Sequence, residues 1–145
     1  MRLFGHPIHP MLVHFPIVLW TATTGAAIAA VFGVTEAERV AAFANGAGLI
    51  IALPAMLAGA LELRTIDSRS PAMRVATWHM MAMATAWVCF LVAVMASFAS
   101  GLDRTTAQMA AAASAVVGFL VMAIGGWLGG RLVYEYGIAV KGRAT

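Results

Sequence analysis

The chain has 145 residues, of which 62% are hydrophobic and only 10% charged, with a net charge of +3 and a mean hydropathy of +0.89. Soluble domains are about half apolar and about a quarter charged, so a water-soluble globule is excluded. No basic stretch suits nucleic acid, and neither a Ser/His/Asp set nor a phosphate loop argues for a hydrolase.

The first element begins with "GHPIHPMLVHFP", which places His6, His9 and His14 within nine residues. The apolar run that follows is interrupted by His14 and Pro16 and continues well past signal-peptide length, so it reads as an uncleaved first span. Pro7 and Pro10 disfavour a regular helix, and His6 and His9 are expected in an extended or turned clamp over the mouth of a bundle. Four stretches have the roughly 20 apolar residues a span needs: about 11–33, 40–61, 74–100 and 108–134. Leu, Ala and Val fill them without strand-like alternation, which excludes a β-barrel, and helices satisfy their own backbone in lipid. The expected fold is therefore all-α, a four-helix transmembrane bundle, with residues 1–145 as a single transmembrane domain. No internal repeat is apparent.

The connections carry the charge. Arg2, Arg64, Arg69, Arg74, Arg131, Lys141 and Arg143 fall on one side, against Arg39 and Arg104 on the other. This asymmetry predicts that the N and C termini are both cytoplasmic. Cys89 is the only cysteine, so no internal disulfide forms.

Orientation constrains the histidines. The first and third spans run the same way, with His14 about three residues into one and His79 about five into the other, a depth difference of about 3 Å. The stripe from His14 continues through Val18, Thr21 and Gly25, and that from His79 through Ala82, Met83, Ala86 and Phe90. An ionisable side chain within a span faces the bundle interior by default, so His14 and His79 are expected to face each other.

Imidazole ligates iron, copper and zinc. One haem b held by His14 and His79 is the preferred reading, with Arg74, Arg131 and Tyr134 placed for its propionates and Trp78 and Trp127 as walls. The alternative is zinc or copper held by His6, His9, His14 and His79. A third reading leaves the histidines only hydrogen-bonded, in a non-catalytic subunit of a larger membrane complex. Met83 offers a soft sulfur beside His79, although gap-filling is the commoner role of a core methionine.

In the fourth span, "GGWLGG" pairs Gly125 with Gly129 and Gly126 with Gly130, a spacing that lets helices approach closely. Packing within the bundle is the expected use, with a homodimer as the alternative. Pro54 predicts a kink in the second span, and Arg131 with Glu135 has the spacing of a helical ion pair. No carboxylate lies in the middle of any span, which argues against proton or ion transport. An electron carrier or accessory subunit fits better than a catalyst.

At "GHPIHPMLVHFPIVLW", "LPAMLAGALEL" and "GGWLGGRLVYEYGIAV" the chain resembles a bacterial family of small four-helix membrane proteins, catalogued as domain of unknown function 2231. That family commonly carries an aspartate where Glu62 stands. Some of its members are joined to Rieske iron–sulfur domains, so the resemblance implies electron-transfer company without supplying an activity. With no histidine in the outer half, a single haem needs a quinone or a membrane redox complex to complete a route across the bilayer.

Overall fold

The computed structural model describes residues 2–3 and 6–140, with side chains from residue 8 onward. Arg2, His6, Lys141 and Arg143, all used above, have side chains outside the described residues. A two-residue antiparallel pairing opens the chain, β1 (Arg2–Leu3) against β2 (His6–Pro7). Five helices follow: α1 (Ile8–Leu12), α2 (His14–Val31), α3 (Thr35–Leu63), α4 (Pro71–Ser97) and α5 (Arg104–Tyr134). Together α1 and α2 form the first of four spans long and apolar enough to cross a membrane.

Local chemistry explains the breaks. Pro16 has no N–H for the Leu12 carbonyl and its ring crowds that group, and the helix interrupts at Val13. Where Ala86 occupies the corresponding place, α4 is continuous. Pro10 is tolerated because it falls in the first turn of α1, where backbone N–H groups have no helical acceptor. His9 is therefore helical, and the extended clamp expected of it does not form. Asp103 caps α5 by accepting from Thr106 N at 3.0 Å, and Ser70 caps α4 through Met73 N at 3.2 Å. α3 and α5 start a few residues before the hydropathy rises, because their first turns are polar.

The packing is that of a protein in lipid. Large apolar side chains point outward, among them Phe43, Ile50, Leu57 and Ile124, while the interior is mostly alanine, glycine and threonine. Lipid tails are as apolar as leucine, so helices associate through small faces that let backbones approach. α2 packs on α3 and α4 on α5; α2 also meets α5, and α3 meets α4, closing a four-sided bundle.

An internal repeat that the sequence does not announce organises this bundle. Adding 70 to a residue number in the first hairpin (α1 to α3) gives its counterpart in the second (α4 and α5). His9 Nδ1 lies 2.8 Å from Ala55 O, and His79 Nδ1 lies 2.7 Å from Gly125 O; both pairs are 46 residues apart. A Cβ on Gly59 would meet the His9 ring, and one on Gly129 the His79 ring. Gly48 receives Trp20 and Leu19, and Gly118 receives Phe90 and Cys89, which are the same positions shifted by 70. Across the bundle, His9 meets His79 and Trp20 stacks on Phe90, so equivalent residues touch. Contacts between equivalents mark a pseudo-two-fold axis running between α2 and α4. Because both hairpins begin at the same end, that axis runs along the bundle.

Candidate functional site

The histidine site is built where the axis reaches the end of the bundle at which both hairpins begin. The imidazoles of His9 and His79 have ring centres 6.2 Å apart, with planes at 85°. Each is pinned by one nitrogen. With Nδ1 protonated, each ring donates to a backbone carbonyl, His9 to Ala55 and His79 to Gly125. This fixes the tautomer and leaves Nε2 of both rings with a free lone pair, the arrangement that metal-ligating histidines typically show. Glycine supplies the room: Cβ atoms on Gly59 and Gly129 would come within 2.9 and 3.1 Å of the His9 and His79 rings.

His14, the expected partner of His79, is turned away from the bundle interior. Its side chain is exposed, and the residues above it on that stripe, Val18, Thr21 and Gly25, are exposed as well. The His79 stripe does turn inward, with Ala86 and Phe90 fully buried. The inward stripe of the first span instead runs from His9 through Pro16, Trp20, Thr23 and Ala27, all buried beyond His9 itself. A helix N-terminus placed before Pro10 would have identified His9 from sequence, and so would the shared 70-residue offset of the two His–Gly pairs.

The remaining candidates divide. Arg131 is held by Glu135 through three hydrogen bonds of 2.8–3.0 Å and lies 5.2 Å over the Trp127 ring, so the expected ion pair forms. That pair draws the Glu135 carboxyl below the usual range, chiefly through the hydrogen bond from Arg131. Arg74, Tyr134, Trp78 and Trp127 are all exposed. Met83 packs inside the bundle, with its Sδ 2.6 Å from where a Gly125 Cβ would stand. Gly125 and Gly129 thus face bundle neighbours, Met83 and His79, whereas nothing among the described residues lies within 4 Å of a Cβ on Gly126. Among the described residues no three His, Cys, Asp or Glu side chains gather closely enough to hold a metal ion.

Four apolar helices, paired as two hairpins and exposing their large side chains, define a small multi-pass helical membrane protein. The chain belongs to the family described as "Predicted membrane protein (DUF2231)", whose model matches residues 5–142. Comparison with curated proteins and with solved structures returns no match.

Proposed function

We propose that this protein is a membrane electron carrier that holds one b-type haem between its first and third spans, with His9 and His79 as the axial pair. The carrying observation is the pair itself: two imidazoles on the pseudo-axis, each oriented by an Nδ1 contact of 2.7–2.8 Å to a backbone carbonyl. The ring centres are 6.2 Å apart, the order of separation that two imidazoles sharing one metal would have, and Nε2 of each would be the nitrogen left to hold it.

The donor set favours a porphyrin over a bare ion. A structural zinc site takes four protein ligands and a catalytic one three plus water, and two nitrogens meet here among the described residues. Haem brings four nitrogens of its own and requires two. When bound, it supplies a one-electron iron couple. The chain's part would be to fix both rings through Ala55 and Gly125, to seat them against Gly59 and Gly129, and to present cationic side chains at the boundary. Arg74 is placed for that last role, whereas Arg131 is engaged by Glu135.

The excess of Lys and Arg at this end supports a cytoplasmic orientation for it, in a bacterial inner membrane. A quinone or a membrane redox complex completes the route. Gly126 and Gly130 are the glycines left for a second copy. In the competing account the imidazoles only hydrogen-bond, and the protein is a scaffold in a larger complex.

Absorption spectroscopy of the detergent-purified protein decides. A Soret band with reduction-sensitive visible bands is expected. It is lost in His9→Ala and in His79→Ala and retained in His14→Ala. A colourless protein with stoichiometric zinc or copper favours the metal-ion account, and a colourless, metal-free one favours the scaffold.

A further inference from the structure

At the opposite end of the bundle a cavity of about 510 Å³ opens between the four spans. It lies on the pseudo-axis, because its walls are equivalent pairs: Thr23 with Ala93, Ala27 with Ser97, and Asn45 with Ala115. The volume is within the range of small-molecule sites. Glu38, Arg104 and Gln108 line its outer part. There the Glu38 carboxylate accepts from Arg104 at 2.9 Å and from the Gln108 amide.

The inner part holds an unmet demand. Asn45 is only 3% exposed. Its Nδ2 donates to Phe90 O at 3.0 Å, while its Oδ1, like the Trp20 Nε1 donor, is buried without a partner among the described residues. A buried acceptor left alone is costly, and native structures satisfy nearly all of them. The second half of the molecule supplies no help, since the counterpart of Asn45 is Ala115.

We infer that this cavity binds a membrane-soluble hydroxyl compound of the hydroquinone class, head inward, with one hydroxyl donating to Asn45 Oδ1. The alanine walls accept a flat apolar ring. An acyl chain entering tail first brings no donor to Asn45, so the polar end of the ligand must be the one that enters. A quinone, which only accepts, meets the same oxygen unfavourably, so the site prefers the reduced form. Choosing a hydroquinone among hydroxyl donors rests on the electron-transfer reading above; the need for a donor at Asn45 does not.

The test uses the full chain in lipid nanodiscs, titrated calorimetrically with tetramethylhydroquinone and with its dimethyl ether, which keeps the ring but has no donor. The hydroquinone is expected to bind one per chain, about tenfold more tightly than the ether. Asn45→Leu removes that preference. Ala111→Leu fills the cavity, leaves the Asn45–Phe90 bond in place and abolishes binding of both compounds. Equal affinity for the two compounds, or a preference that survives Asn45→Leu, overturns the inference, as does the absence of saturable binding to a folded wild type. The readout needs no haem band, so failure here is separable from failure of the histidine site.

Discussion

At the scale of single residues, the interior is governed by how closely one backbone lets a foreign ring approach. Gly48 and Gly118 do the same work for Trp20 and Phe90, but not with equal tolerance. A Cβ at Gly48 would stand 2.6 Å from Trp20 Nε1, whereas at Gly118 the nearest atom is Phe90 Cε2 at 3.0 Å. Overpacking of this kind costs about 1–3 kcal/mol. Gly48→Ala is therefore expected to lower stability by about that amount, and Gly118→Ala by less, in matched denaturation curves; the reverse order would contradict the packing. The same scale shows why His9 was hard to find by reading. Flanking prolines suggest an extended segment, yet a first helical turn accommodates Pro10 without losing a hydrogen bond. His14, deeper and next to a long apolar run, looks like the buried residue and is the exposed one.

At the scale of elements, hydropathy was enough to reveal four apolar helices, and it failed at their ends. The turns that start α3 and α5 contain Thr35, Glu36 and Glu38, and Arg104, Thr105 and Thr106, which average as loop but form the first helical turn. Asp103 carries a testable consequence. Hydrogen bonds from the Thr106 hydroxyl and backbone hold its carboxyl below the usual value. A carboxyl with a lowered folded pKa stabilises the fold above its unfolded value of about 4, and that contribution fades as pH falls further. The difference in unfolding temperature between wild type and Asp103→Ala should be largest near neutrality and shrink below about pH 4. A constant difference would show that charge plays no part in the cap. Glu135 follows the same sign through its hydrogen bonds from Arg131.

At the scale of the whole molecule, the repeat was the least legible feature. Over the 70-residue offset the matching positions are mainly alanine and glycine, which recur throughout the chain, with His9 and His79 as the one distinctive match. Such residues carry little sequence signal, although their geometry in three dimensions is nearly duplicated. The repeat predicts that the two hairpins are separable units. Residues 1–66 and 67–145, co-expressed as two chains, should assemble in the membrane and co-purify in equal amounts; recovery of one without the other would mean that the 67–70 connection is required. Along the axis the histidine pair, the stacked Trp20 and Phe90 with ring centres 4.6 Å apart, and the cavity follow in that order. The fold thus aligns its three unusual features on one line.

The pairing of Asn45 with Ala115 says something about what a single chain permits. In an assembly of two identical half-length subunits, any side chain beside the symmetry line confronts its own copy, and an amide there would bring a second amide into the same narrow space. Joining the halves covalently frees each side to change alone. One half keeps a polar group facing the interior while the other gives up volume to make room for a guest.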